Sequence, residues 1–423
     1  MSDAPRRRYA LVGTGARAQM FTSSLVHDHA DVAELVALAD PNPGRIEAHQ
    51  ADLARWGRPP VPSYPATAFG EMLERERVDA VIVTTVDRYH DEYLVAALDA
   101  GRDAVTEKPM TVDVPRCRRI LDAVRSSGRR VTVTFNYRYN PVHEEVRRII
   151  ASGEIGEVGS VHFEWLLDVR HGADYFRRWH RDKANSGGLL VHKASHHFDL
   201  VNWWLGDEPA DVYAAGRLFF YGADAGREHG YAGDDRFTLP LTGDPRMRAL
   251  YVDAAQHDGY RRDQDVFAPG VTIEDDLAVL VRYAGGASLS YHLTAYAPWE
   301  GYRVMINGSR GRLELEVVET DHVSPDATGV LQGPEPGFRR LLVRPLWAPP
   351  REVELPPRQR AGHGGADARM LADLFRSDLP PDPLGRTATD RDGARALLVG
   401  LAANESIATG HAVRVADLLG ASL

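Results

Sequence analysis

From Tyr9 to Phe135 short apolar runs alternate with amphipathic stretches of helical period. Tyr9–Val12, Leu35–Ala39, Ala80–Thr84, Ala104–Val105 and Val131–Phe135 read as short buried strands with helical patterns between them. That alternation predicts parallel strands joined by right-handed crossovers, a doubly wound sheet whose ligand crevice lies at the carboxyl ends of its strands. After Pro141 the pattern changes. A helix is expected through Ile150, then a long strand from Gly159 to Val169. Further strand-like runs follow at Val271–Tyr283, Gly286–Tyr296, Tyr302–Asn307 and Gly311–Val318, separated by turns such as Ala284-Gly285-Gly286. These runs predict an open, mostly antiparallel sheet. Residues 217–270 carry little periodicity and read as an insert, either a lid or a subunit contact. The stretch from Thr320 to Pro357 reads as edge strands and loops, and helical patterns at Asp367–Phe375 and Asp390–Thr409 close the chain.

A chain of 423 residues is too long for one ordinary core, so two domains are expected. Its 43% hydrophobic and 26% charged residues are those of a globular protein. No stretch approaches the roughly 20 consecutive apolar residues of a membrane span. The net charge of -10 argues against a nucleic-acid partner, whose usual footprint is a basic face. Arg6-Arg7-Arg8 suggests a twin-arginine signal, but the apolar residues after it are too few for an export segment and read as the first strand. The single cysteine, Cys117, excludes an internal disulfide and is expected to pack inside a helix; a cytoplasmic protein is the resulting expectation.

Candidate chemistry falls at the strand ends. Gly13-Thr14-Gly15-Ala16-Arg17-Ala18 follows the first strand and opens a helix, the setting in which backbone approaches the pyrophosphate of a dinucleotide. The fold class is accordingly α/β: an N-terminal Rossmann doubly wound parallel sheet over 1–136, then an α+β domain with a large, mostly antiparallel open sheet over 137–423. Asp40 ends the second strand, where a carboxylate accepts from the adenosine ribose and repels a 2′-phosphate, so NAD is favoured over NADP. Two features leave that preference open: Asp40 also fits a turn before Pro41, and Arg45 is near enough to pair with the extra phosphate. Thr84, Thr85, Val86 and His90 are placed to line the cofactor cleft. Glu107-Lys108-Pro109 ends the fifth strand and brings a lysine to the nicotinamide side.

Together these motifs resemble the glucose-fructose oxidoreductase, inositol dehydrogenase and rhizopine-catabolism (Gfo/Idh/MocA) family. The likeness extends to Phe135-Asn136-Tyr137-Arg138-Tyr139, to Trp179 through Asp199, to Asn307-Gly308-Ser309-Arg310-Gly311 and to the late helix. The resemblance implies a nicotinamide-dependent enzyme acting on a sugar, cyclitol or related polyol held between the Rossmann domain and the second sheet. It makes Lys108 and His196 the catalytic lysine and histidine, adds Arg138 to the cofactor residues, and makes a homodimer or homotetramer the expected assembly. The family's D-x-G-x-H pattern is broken: His192 stands in the aspartate's place and Ala194 in the glycine's.

Oxidising a secondary alcohol needs a base for the hydroxyl proton while the carbon gives up hydride. Histidine suits that role near neutral pH. A helix beginning near His192 would put His192 and His196 on one face, with His196 as base, Lys108 steadying alkoxide charge and His192 orienting. Zinc binding by the same histidines is disfavoured by Lys193 between them, even with His197 as a third ligand, so no metal is expected. Without the family's aspartate, Lys108, Lys193, His192 and His196 predict a pocket for an anionic sugar, reinforced by Arg181 and Lys183. Tyr137, Trp179, His197 and His363 complete the substrate-side candidates. Gly362-His363-Gly364-Gly365-Ala366-Asp367 resembles a segment of longer family members, including NAD-dependent glycosidases. A redox-neutral glycoside hydrolase or lyase acting through a 3-keto intermediate is therefore the alternative to a dehydrogenase, and a non-catalytic NAD-binding protein is a third reading.

Overall fold

The computed structural model describes residues 5–323, 337–357 and 362–420. The chain divides into two compact units, one of Met1–Phe135, Pro240–Arg262 and Asp367–Gly393 and the other of Asn136–Leu239, Asp263–Ala366 and Ala394–Leu423.

In the first unit the strands β1 (Arg7–Val12), β2 (Ala33–Asp40), β3 (Ser63–Pro65), β4 (Ala80–Val83), β5 (Asp103–Thr106) and β6 (Val131–Val133) alternate with α1 (Ala18–Val26), α2 (Pro43–Arg55), α3 (Phe69–Arg75), α4 (His90–Asp99) and α5 (Val114–Ser127). The sheet runs β6-β5-β4-β1-β2-β3 with every pair parallel, and Ala388–Thr389 adds an antiparallel strand beside β6. The central strands are buried on both faces, which is why they read as continuous apolar runs: Ala10, Leu11 and Val12 of β1 and Val81, Ile82 and Val83 of β4 have no exposed surface. Helix starts follow local chemistry. The Asn42 side chain accepts from the Gly44 and Arg45 amides ahead of α2, and Asp113 accepts from Arg116 N ahead of α5, which ends at Gly128 in the left-handed region. Cys117 is buried in α5 as expected, and burial pushes its thiol up to about 12.

The second unit contains α6 (Pro141–Ala151), β7 (Val158–Asp168), α7 (Val169–Arg177), α8 (Lys183–Ser186), α9 (Leu189–His192), α10 (Ser195–Leu205), β8 (Pro209–Arg217), β9 (Asp276–Tyr283), β10 (Ser288–Ala297), β11 (Glu300–Gly308), β12 (Gly311–Thr320), β13 (Arg339–Pro345) and β14 (Arg351–Glu352). Its sheet order is β14-β13-β12-β11-β7-β10-β9-β8, ending on Val413–Arg414, and only the β7–β10 pair is parallel. Strict alternation of buried and exposed residues in β9 shows one face on the core and one on solvent. Helix α7 lies against β10 so closely that a Cβ on Gly172 would sit 1.6 Å from the Ala295 carbonyl oxygen, which only glycine permits.

Strands β8 and β3 are among the elements that were not visible in the pattern. Strand β8 carries Gly216 and a weakly apolar sequence, and β3 is three residues with only Tyr64 buried. The expected insert is ordered into short helices, among them Ala223–Glu228, Pro245–Arg248 and Ala255–Asp258, each too brief to show a period. Part of it, Pro240–Arg262, packs as a strap on the first unit.

The core of the second unit holds an ion pair and a polar ring. Arg138 donates from Nε and Nη2 to the two oxygens of Asp199 at 2.8 and 2.6 Å, both side chains fully enclosed. His143 reaches Tyr137 O with Nδ1 and Tyr302 Oη with Nε2, each at 2.8 Å, and Trp204 donates to His143 O. Removing the anion strands the guanidinium: Asp199→Ala should cost about 3–5 kcal/mol, read as a lowered urea midpoint of the second unit, and a loss under about 1 kcal/mol would contradict a buried pair. Burial lowers His143 to about 4, so the unfolded chain takes up this proton first. Its contribution is whole above the unfolded value of roughly 6.5 and is lost as the pH falls toward the folded one. Stability measured against pH should therefore fall from neutrality to about pH 4.5, with a shallower slope in His143→Gln.

Candidate active site

In the first unit the glycine turn is built by close approach. Gly13 has φ +89°, and a Cβ there would lie 2.6 Å from Thr85 N and 2.7 Å from the Thr84 carbonyl carbon. Thr84 Oγ1 donates to Gly13 O at 2.6 Å, and Gly13 N donates to Ala39 O at 2.9 Å. Asp40 closes the other side: its carboxylate accepts from Thr14 N at 2.6 Å, Thr14 Oγ1 at 3.0 Å and Asn42 N at 2.8 Å. Burial pushes the Asp40 carboxyl up, and the amides of Asn42 and Thr14 work against that rise. The turn leads through Gly15, Ala16 and Arg17 into α1 at Ala18, so a glycine-containing turn stands ahead of a helix, the setting in which backbone meets a pyrophosphate.

Glu107, Lys108 and Pro109 follow β5, with a cis bond between Lys108 and Pro109. Glu107 accepts from Arg17 Nε at 2.7 Å, which ties this turn to the glycine turn. His90 points Nδ1 at Pro109 O (2.9 Å) and Nε2 at Thr85 O (3.2 Å), and burial lowers its pKa. It braces the ends of β4 and β5 from beneath. Thr85 Oγ1 donates to Val86 O at 3.3 Å on the same rim.

Sequence patterns missed the strap. The Ala16 amide donates to Tyr251 Oη at 2.9 Å, and Asn42 Nδ2 donates to Ala254 O at 2.9 Å. Arg45, expected within reach of a ribose phosphate, pairs with Asp258 at 2.7 Å. Arg246 pairs with Asp52 at 2.8 Å beside His49, whose Nε2 lies 3.2 Å from Gly15 O and which burial lowers to about 4. These residues lie some 200 positions from the turn they touch, and no local motif marks them.

In the second unit the candidates gather on an aromatic stack. Tyr137 lies on His196 with centroids 4.3 Å apart, and Trp165 lies between His197 (4.1 Å) and Tyr302 (4.6 Å). Lys193 Nζ stands 4.7 Å above the Trp165 ring and 3.4 Å from Tyr137 Oη. His197 Nδ1 is 2.7 Å from Tyr291 Oη. Trp179, partly exposed, stacks on His180 at 3.6 Å, and His180 meets the His192 ring edge-on at 4.1 Å.

Several expectations are corrected here. His192 and His196 do not share the face of one helix: α9 ends at His192 and α10 begins at Ser195, so the chain bends between them and the rings meet different partners. Arg181, expected to bind an anion, donates to Gln264 Oε1 and to the carbonyls of Asp265, Ala268 and Pro269 at 2.9–3.3 Å, holding that loop. Lys183 is ion-paired with Glu274. Arg138, assigned to the cofactor, is the buried partner of Asp199. The side chain of His363 lies outside the described residues. A carboxylate is also present where none was expected: Glu300 of β11 accepts from His171 Nδ1 at 2.8 Å. Burial raises the Glu300 carboxyl, yet His171 and Lys193 bring it below its ordinary value overall. Negative charge thus acts on Lys193 from β11. Among the described residues no group of three or more His, Cys, Asp or Glu side chains is placed to hold a metal ion, and no helix is long and apolar enough to cross a membrane.

Two family models match the chain in succession. Residues 7–135 match the model "Oxidoreductase family, NAD-binding Rossmann fold", and residues 147–415 match "Oxidoreductase family, C-terminal alpha/beta domain". A Bacillus subtilis (strain 168) protein named as the oxidoreductase YteT is 35% identical over 96% of this chain and 97% of its own. The scyllo-inositol 2-dehydrogenase (NAD(+)) of the same organism is 26% identical over 50% of this chain and 57% of its own. The WlbA dehydrogenase from Bordetella pertussis, solved in complex with NADH and UDP-GlcNAcA, shares the fold at a TM-score of 0.64, with 19% identity over 98% of this chain and 99% of that one. With both family models matched in order along most of its length, the chain belongs to the Gfo/Idh/MocA oxidoreductase family.

Proposed function

We propose that the protein is a dehydrogenase that oxidises a secondary hydroxyl of a sugar, sugar derivative or cyclitol with NAD as hydride acceptor. The observation that carries this reading is the first unit's strand-end constellation: a glycine turn closed by Asp40, with Lys108 following β5. Family membership and the 26% identical relative, a scyllo-inositol 2-dehydrogenase (NAD(+)), support the substrate class. Bound at the turn, the dinucleotide supplies the hydride-accepting ring. The chain supplies the proton chemistry. The His196 imidazole takes the hydroxyl proton, Lys108 Nζ hydrogen-bonds the forming alkoxide, and the stack of Tyr137 on His196 holds the base in one orientation.

The charge inventory of the second unit favours a neutral polyol over an anion. Arg181 and Lys183 are engaged within the chain, and Lys193 lies in the field of Glu300. Hydroxyl groups need hydrogen-bonding partners, which Lys193 and the histidines provide.

Incubation with NAD and a panel of inositols, neutral sugars, uronates and aryl glycosides, following NADH and aglycone together, tests the reading. NADH should accumulate with a neutral polyol, whereas aglycone released without net NADH would replace the dehydrogenase by the glycosidase. His196→Ala should lower kcat by about 10²–10⁴, and Lys108→Met by a similar factor, with dinucleotide affinity retained in His196→Ala. Arg181→Ala should lower thermal stability and leave KM within about threefold; a tenfold rise in KM for an anionic substrate alone would restore Arg181 to the binding set.

A further inference from the structure

We infer that the Pro240–Arg262 strap excludes 2′-phosphorylated dinucleotides, and that Asp258 is the specificity-determining residue because it captures Arg45. This inference rests on the NAD-dependent reading above.

Arg45 lies in the first turn of α2, five positions beyond Asp40, where the chain leaves the ribose end of a dinucleotide cleft. A guanidinium so placed is the usual partner of a 2′-phosphate, which it binds through two parallel N–H donors. Here Nη1 and Nε are engaged by the strap. Nη1 is 2.7 Å from the Asp258 carboxylate, Nε donates to Leu250 O at 3.4 Å, and the guanidinium carbon stands 5.5 Å from the centre of the Tyr260 ring. All three partners belong to the strap. The Arg45 side chain is only 12% exposed, so a phosphate would have to break a largely enclosed ion pair to recruit it.

The strap is fixed in this position independently of Arg45. Asn42 Nδ2 holds Ala254 O, Tyr251 Oη holds the Ala16 amide, and Arg246 holds Asp52. Gly44 leaves room for the contact: a Cβ there would come within 3.1 Å of Ala254 Cβ and 3.2 Å of His257 Cδ2. Asp258 is itself steadied by the Tyr260 amide at 3.0 Å. It therefore acts twice, withdrawing the cation that would receive a 2′-phosphate and adding a carboxylate on that side of α2. A 2′-hydroxyl meets neither obstacle.

The full chain, titrated with NADH and with NADPH at one ionic strength while tryptophan fluorescence is followed, reads the ratio of the two Kd values. The parent should bind NADH at least tenfold more tightly. Asp258→Ala should narrow that ratio at least tenfold, Asp258→Asn should narrow it in the same direction, and Arg45→Ala added to Asp258→Ala should bring the parent's ratio back. An unchanged ratio in both Asp258 variants would overturn the inference, as would a double variant that keeps the narrowed ratio. A parent that prefers NADPH would overturn the inference and the choice of NAD together, whereas a parent that prefers NADH with a ratio unmoved in both Asp258 variants would overturn the inference alone. A parent with no affinity for either dinucleotide would overturn the NAD-dependent reading with it.

Discussion

The Asp40 carboxylate joins the glycine turn to the start of α2. One oxygen takes the amide and hydroxyl of Thr14, and the other takes the amide of Asn42. Through Thr14 it sets the conformation of the glycine turn. Through Asn42 it orients the residue that caps α2 and holds the strap at Ala254. A buried carboxyl with a raised pKa would be a liability by itself, and the two backbone amides are what make its anion acceptable there. Asp40 and Gly13 are complementary constraints. Glycine lets the turn sit against Thr84 and Thr85, and the carboxylate keeps it there.

The second unit meets a similar requirement with rings instead of amides. Tyr137, Trp165, Tyr302 and the imidazoles of His143, His196 and His197 form one continuous stack and edge network, in which Tyr302 Oη meets His143 and Tyr291 Oη meets His197. Packing of this kind restricts ring rotation and gives His196 a defined orientation. Glu300 of β11 adds a carboxylate whose charge acts on Lys193.

What was legible in the sequence was local. The Gly13–Ala18 turn, the Asp40 strand end and the Glu107-Lys108-Pro109 turn each carry their signal within a few residues, and the alternation of apolar runs identified both sheets. The bend between His192 and Ser195 was not legible, because an H-K-A-S-H run is as compatible with one helix as with two. Arg138 was assigned to the cofactor and Arg181 and Lys183 to an anionic substrate because their partners Asp199, Asp265 and Glu274 are fixed only by tertiary packing. The strap was hidden for both reasons: its helices are a single turn long, and Tyr251 and Asp258 find their partners more than 200 residues away.

A common arrangement underlies these misreadings. In a chain with 60 acidic and 50 basic residues, the cations near the candidate residues are nearly all matched: Arg17 with Glu107, Arg45 with Asp258, Arg246 with Asp52, Arg138 with Asp199 and Lys183 with Glu274. Buried and partly buried pairs of this kind contribute little net stability, because desolvation offsets most of the attraction. Their effect lies in what they remove. A guanidinium already engaged with a carboxylate offers weak attraction to a phosphate or a carboxylated ligand, while hydroxyl groups, which need directed hydrogen bonds and not a field, lose nothing by it. Selection for neutral oxygen over anionic oxygen can thus be built from ion pairs that take no part in proton transfer.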